Sequence, residues 1–401
     1  MSILKEIMWV RIMINYELYE KCLIGIIKDA ILNKNETEIP KEIDIDILAD
    51  IARDHKIANI LYPALEKKGI ENEKLGKEFS FWLTVESNQQ YYLEKIKKRF
   101  EEEKIRFICI KGVYMRTLYP ETYMRSSTDL DIYVDDENTE RAHEIMTELG
   151  AETVRFSHKM KDDTYNIGQF VHIEIHRGLV DEQCPWSEKC QEIEKRAVPK
   201  KDGSYEYVLS AEDFYLHMLA HMAVHLKYVG CGIRMVLDIW VYLNKFSETI
   251  DREILNQRLK DCGLDIFENE IIKLVDYLFN GKDADAKTKA LAKYVFESGL
   301  FGSTRQNMAT EMAMNVEKYG SVRMSIFKKL TWHVFMPYHK MCMTYPKLSK
   351  YPILLPYYWF IKGAKILLFK RKRIAEVVNS YDGIDLLEAK KLAEFKKSIG
   401  L

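Results

Sequence analysis

The chain has 401 residues, enough for two or three domains, and 47% hydrophobic with 30% charged residues describes packed globular units rather than a disordered or fibrous chain. Sixty Lys and Arg against 61 Asp and Glu exclude any whole-chain attraction to nucleic acid or to an anionic membrane. Only 18 Gly and 9 Pro occur, which favours long helices over many short strands and turns.

The N-terminal stretch carries Lys5, Glu6 and Arg11 inside its apolar run, so no signal peptide is expected. From there to about Phe100 the pattern is helical. Ile47, Leu48, Ile51, Ala52, His55 and Ala58 recur at three- and four-residue steps, and Phe79 to Phe100 reads as a second, longer helix.

The texture then changes. Ile105 to Ile110 is a short β-rich run ended by Lys111-Gly112, followed by a short helix from Val113 to Tyr119 stopped at Pro120. Leu130 to Val134 reads as a second strand, and Glu140 to Leu149 as a helix closed by Gly150. Ala151 to Phe156 makes a third strand, and the alternating run Gln169 to His176 a fourth. Past Ser210, which forms a capping box with Asp213, helices resume to about Lys293 and extend towards Phe335. The basic stretch Lys370 to Arg373 and the charged end after Asp382 are expected to be helical and exposed. The reading is an α+β protein: an N-terminal helical region (1–104), a small mixed-sheet core (105–205) and a C-terminal helical region (206–401).

One apolar segment, Tyr351 to Phe369, carries Lys362, Lys365 and two prolines. A span needs about 20 mostly apolar residues, so a buried or membrane-surface segment is expected, not a transmembrane one. Seven scattered cysteines (22, 109, 184, 190, 231, 262, 342) contain no C-x-x-C pair, which points to reduced thiols in a cytoplasmic protein. Met308, Met312, Met314 and Met324 read as adaptable core filler.

The chemistry concentrates in Arg125-Ser-Ser-Thr-Asp-Leu-Asp-Ile-Tyr-Val. Side chains alternate along a strand, so Asp129 and Asp131 share a face while Leu130 and Ile132 turn to the core. Two neighbouring carboxylates repel strongly unless a cation lies between them. In Val171-His-Ile-Glu-Ile-His the polar face holds His172, Glu174 and His176. If this strand neighbours the first, three carboxylates converge on an oxygen-rich site suited to Mg²⁺ or Mn²⁺. Lys111-Gly112, at a strand-to-helix turn, would let a phosphate approach the backbone, with Lys111 and Arg125 as cationic partners. The blander alternatives are a solvated strand end for the Asp pair, a Glu174–Arg177 surface pair, and ordinary surface cations for Lys111 and Arg125. His172 and His176 would line the cleft or orient Glu174 by hydrogen bonds.

This order of elements, with Lys-Gly, Tyr-Pro, Arg and Asp-Leu-Asp as its wording, resembles the polymerase β-like nucleotidyltransferase superfamily. Within it, the chain is most similar to an uncharacterised bacterial nucleotidyltransferase family, over about Ile105 to Leu243, including the later His221, His225 and Asp238. The resemblance implies metal binding by Asp129, Asp131 and Glu174, and nucleotide binding by Lys111, Gly112 and Arg125. It implies Mg²⁺ (or Mn²⁺) as cofactor and a nucleoside triphosphate, ATP being the expected one, as donor to an acceptor hydroxyl on a small molecule or a protein. Where that superfamily has Gly-Gly or Gly-Ser, this chain has Lys-Gly-Val, so Lys111 is the residue that could replace a serine contact. The alternative is a catalytically silent module that binds nucleotide or a partner. The stripe His217, His221, His225 spans roughly 12 Å along a helix, too far for one ion, and reads as a packed or hydrogen-bonded face.

Overall fold

The computed structural model describes residues 16–157, 161–180, 190, 193–299, 331–332, 334–345, 347–369 and 386–401. The N-terminal stretch up to 15, Cys184, the methionines from 308 to 324, and Lys370 to Arg373 lie outside them. The chain divides into two compact units. The first takes in residues 1–226, 231–301 and 400, the second 227–230, 302–399 and 401.

Among the described residues the first unit begins with four helices: α1 (Tyr16–Ile31), α2 (Ile45–Asp54), α3 (Ala58–Glu66) and α4 (Glu73–Glu102). Asp44 caps α2 by accepting from the Asp46 and Ile47 amides, and Asn72 caps α4 by accepting from Leu75. Then come β1 (Phe107–Cys109), the one-turn helix α5 (Lys111–Met115), β2 (Asp129–Val134), α6 (Thr139–Glu148), β3 (Glu152–Arg155), β4 (Asp162–Ile167) and β5 (Val171–His176). Gly150, at φ +81°, turns the chain from α6 into β3, as the sequence leads one to expect. Two short strands, β6 (Val198–Pro199) and β7 (Glu206–Val208), precede five helices: α7 (Ala211–Tyr228), α8 (Ile233–Phe246), α9 (Arg252–Cys262), α10 (Asp265–Asn280) and α11 (Ala286–Ser298). The capping box at the head of α7 forms, with the Asp213 amide 3.2 Å from Ser210 Oγ.

The result is an α+β architecture built on one seven-stranded mixed sheet in the order β3-β4-β5-β2-β1-β7-β6. β2 runs parallel to β5 and antiparallel to β1, and β4 is antiparallel to both β3 and β5. Four strands are expected from the alternation of the sequence; β4, β6 and β7 are additional. The sequence of β4, DDTYNI, has poor strand propensity, yet it lies between β3 and β5 with Asp162 paired to Arg155 and Asp163 to Arg177. Pairing neutralises acids that would otherwise keep such a segment out of a sheet.

One face of the sheet carries the core. Leu130, Ile132 and Val134 of β2 and Val171, Ile173 and Ile175 of β5 pack with Leu93, Ile96 and Phe100 of α4 and with Ile145 and Met146 of α6. Each such side chain, once fully buried, contributes about 1.5–3 kcal/mol, so burial of this face fixes which residues of β2 and β5 turn the other way.

The described part of the second unit is helical: α12 (Tyr338–Thr344), α13 (Lys347–Lys350), α14 (Leu355–Phe369) and α15 (Leu386–Ser398). The apolar segment is therefore a 15-residue helix after a single turn, and Ile353, Tyr357 and Phe360 on it are exposed rather than buried. No helix among the described residues is long and apolar enough to cross a membrane.

Candidate active site

The face of the sheet opposite the core is polar. In the parallel register of β2 and β5, Asp129 lies opposite His172, Asp131 opposite Glu174 and Tyr133 opposite His176. Glu174 thus shares the face of the Asp pair. Arg177 is committed elsewhere, to Asp163, and the Glu174 carboxylate is 3.3 Å from His176 Nε2.

Asp131 is the centre of the cluster. Its Oδ1 accepts from Lys111 Nζ at 2.7 Å and lies 2.8 Å from His176 Nε2. Ligand atoms of Asp131, Glu174 and His176 all fall within 4.8 Å of one another. His176 therefore sits inside the group that the sequence assigned to three carboxylates. Asp129, at the start of β2, stands at its edge, accepting from Thr128 Oγ1 at 2.9 Å with His172 Nε2 4.0 Å away. His172 itself meets Asn166 Oδ1 at 2.6 Å.

The three carboxyls differ in electrostatics. Burial alone would raise that of Asp131, but Lys111 and His176 outweigh it and hold it well below the usual range. Burial raises that of Asp129, and the charges of Asp131 and Glu174 add to the rise. The hydrogen bond from His176 lowers that of Glu174. A carboxylate kept from easy ionisation by burial and by two like charges is what a hard divalent cation relieves, so the carboxylates of this group fit Mg²⁺ or Mn²⁺. The Lys111 ammonium already supplies one positive charge at Asp131.

Lys111 reaches that position from an unusual backbone. Its φ is +46°, which costs a residue with a Cβ about 1–2 kcal/mol. Gly112 comes next with ordinary backbone but no room: a Cβ there would lie 2.5 Å from Ser127 Oγ. The Ser127 side chain thus fills the space that any side chain at 112 would take. The segment carrying it is pinned from α4, since Gln89 donates to the Ser127 and Thr128 carbonyls at 3.0 and 3.2 Å and accepts from Arg116 Nη2 at 2.9 Å. Neither Gln89 nor Ser127 is recognisable from the sequence, because both act through a contact between distant segments.

Arg125, expected as a fork for phosphate, is buried and engaged. Its Nε donates to both oxygens of Asp238, at 2.7 and 3.0 Å, and its Nη1 donates to the Ser126 carbonyl. Tyr119 donates to the same Asp238 at 2.7 Å.

A cleft of about 210 Å³ opens on these residues, lined by Lys111, Gly112, Arg125, Ser127, Asp129 and Asp131 on one side. Its other wall is helical, with His217, His221 and His225 of α7 and Arg234 of α8. Burial pushes the imidazoles down, His217 to about 3, His225 to about 4 and His221 well below its ordinary value. All three are neutral at neutral pH, and the His221 and His225 rings meet edge to face at 4.5 Å. Lys111, His221 and His225 also border a second cavity of about 200 Å³ that reaches His176. Arg234 is absent from the sequence reading; its one signal is the spacing of four residues before Asp238 on a helix.

The sheet thus bears acidic residues on two neighbouring strands beside a cleft lined by both cations and carboxylates. Residues 41–280, more than half of the chain, match the family model described as uncharacterised nucleotidyltransferase, and the chain belongs to that family. No curated protein matches it. A solved structure, that of the antibiotic-resistance factor ANT(2'')-Ia, is similar over 49% of this chain and 99% of that one, at 11% identity and a TM-score of 0.31.

Proposed function

We propose that the protein transfers a nucleoside monophosphate from a nucleoside triphosphate, ATP being the expected donor, to a hydroxyl of a small molecule or a protein. The observation that carries this reading is the register of β2 against β5, which sets Asp131 beside Glu174 with Asp129 on the same face, next to a cation-lined cleft. Asp129, Asp131 and Glu174 would hold Mg²⁺ or Mn²⁺, which when bound supplies charge against the triphosphate and acidifies the acceptor hydroxyl.

The chain's own residues do the rest. Gly112 and the Ser127 side chain packed against it border the cleft where the triphosphate would lie, and Lys111, held at Asp131, offers its ammonium there. Glu174, ionised and held by His176, takes the proton of the acceptor hydroxyl as its oxygen bonds to the α-phosphorus. The bond from the α-phosphorus to the bridging oxygen breaks, and pyrophosphate leaves. His176, with Nε2 carrying its proton, donates to Asp131 and keeps that carboxylate oriented.

A second reading, a silent nucleotide- or partner-binding module, draws support from the Lys111–Asp131 pair, which balances the buried charge without a metal. Incubation with α-labelled nucleoside triphosphates, Mg²⁺ and a cell extract separates the two. Label on an acceptor, lost with Asp129→Asn, supports transfer. Nucleotide binding without label or pyrophosphate release for any of the four nucleotides would leave the silent module.

A further inference from the structure

Three guanidiniums lie around the segment Arg125–Thr128: those of Arg116 and Arg125 are buried, that of Arg234 is half-buried, and one of the three is paired with a carboxylate. Arg125 holds Asp238. Arg116 has only neutral partners, the Gln89 side-chain oxygen and the Gly112 carbonyl. Arg234 donates from Nη1 to the Ser126 carbonyl at 3.3 Å, while its Nε is buried with no hydrogen-bond partner. No ion pair to Arg234 occurs among the described residues; Asp238, one helical turn on, is already taken by Arg125 and Tyr119.

This arrangement runs against ordinary packing. Buried cations are normally paired, and a buried N–H without an acceptor is uncommon. Arg234 also sits in the first turn of α8, the helix end that favours anions over cations. Burial and the neighbouring Arg125 pull its guanidinium down to about 9, so it stays protonated at neutral pH, in an environment that resists its charge. Among these three arginines only Arg125 and Arg234 line the cleft with Asp129 and Asp131, and Arg125 already has its counterion. The imidazoles on the same wall are neutral and contribute no charge. Asp238 and Asp129 act on Arg234 through space but neither forms an ion pair with it, and a guanidinium so placed in a cleft wall can match two oxygens of an anionic ligand at once.

We infer that Arg234, rather than Arg125, is the guanidinium that grips the polyphosphate of the bound nucleotide. The inference rests on the proposed triphosphate substrate, but it concerns anion binding and is testable without transfer. Calorimetric titration of the full chain with Mg²⁺ and inorganic tripolyphosphate, and separately with Mg²⁺ and ATP, would compare the parent with Arg234→Gln and Arg234→Lys. Arg234→Gln should bind both ligands at least tenfold more weakly, Arg234→Lys should recover part of the loss, and the ligand-free melting temperature of Arg234→Gln should not fall. Equal affinity in the parent and Arg234→Gln overturns the inference, as does a parent that binds neither ligand. A lower ligand-free melting temperature with unchanged affinity would make Arg234 structural. Tripolyphosphate binding that depends on Arg234, in a protein that labels no acceptor, would uphold the inference and sink nucleotidyl transfer.

Discussion

Arg125 and Asp238, 113 residues apart in sequence, meet through Arg125 Nε at 2.7 and 3.0 Å from the two carboxylate oxygens. The contact ties the segment leading into β2 to helix α8 and sets the distance between the acidic face and the helical wall of the cleft. Asp238→Asn leaves the buried Arg125 without its carboxylate partner, and should cost about 3–5 kcal/mol. Replacing both partners together, as Arg125→Met with Asp238→Leu, should cost less than the sum of the two single changes. Urea denaturation of the parent, Asp238→Asn, the two single changes of the cycle and the double change checks this; a single-change cost below about 1 kcal/mol would show the pair to be idle.

The two aspartates of β2 should respond differently to loss of charge. Asp129 is held against ionisation by burial and by its acidic neighbours, so Asp129→Asn should leave the ligand-free protein as stable as the parent or more so. Asp131 neutralises Lys111 and holds His176, and Asp131→Asn should destabilise by about 1–3 kcal/mol. Both changes should abolish the rise in melting temperature produced by Mg²⁺ with ATP. Melts with and without these ligands measure all three effects. An Asp129→Asn protein that keeps the full ligand response would remove Asp129 from the metal site.

Gly112→Ala tests the close approach of Ser127. The backbone at Gly112 is not left-handed, so the effect is steric: the new methyl would lie 2.5 Å from Ser127 Oγ and 2.9 Å from its Cβ. Overpacking of this kind costs about 1–3 kcal/mol. Ser127→Gly in the same chain should restore most of it, and a thermodynamic cycle that shows no coupling would contradict the packing described.

Acid should weaken the fold in a defined window. His217 and His225 have ordinary values of 6.5, pushed down to about 3 and about 4 in the folded protein, so below pH 6.5 the unfolded chain binds protons that the native state refuses. Their contribution to stability is complete above pH 6.5 and declines as the pH falls towards 4. Asp129 acts in the opposite sense, since its raised carboxyl gains stability on protonation, and Asp131 is lost only at still lower pH. His221, lowered in the same way, adds to this fall between pH 6.5 and 4, while Glu20, whose carboxyl is raised to about 7 by burial, opposes it. Urea denaturation at pH 7, 5.5 and 4.5 should show a fall that is shallower in His217→Gln; equal slopes would mean that His217 is protonated in the native state.

The sequence by itself determined the local patterns. Asp129 and Asp131 had to share a face, and so did His172, Glu174 and His176, because strand alternation depends only on the backbone and on which neighbours are apolar. The Gly150 turn, the Ser210–Asp213 cap and the long helix ending near Phe100 were legible for the same reason: their signals lie within a few residues. Tertiary structure alone decided which strands meet. The parallel pairing that sets Asp131 beside Glu174, the insertion of the polar strand β4, and the entry of His176 into the acidic cluster all depend on contacts between distant segments. It also decided the fates of the cations. Arg125, Arg234 and Lys111 look alike in a sequence, but a charge is defined by its counterion. Folding brought Asp238 to Arg125 and Asp131 to Lys111, and left Arg234 facing the cleft.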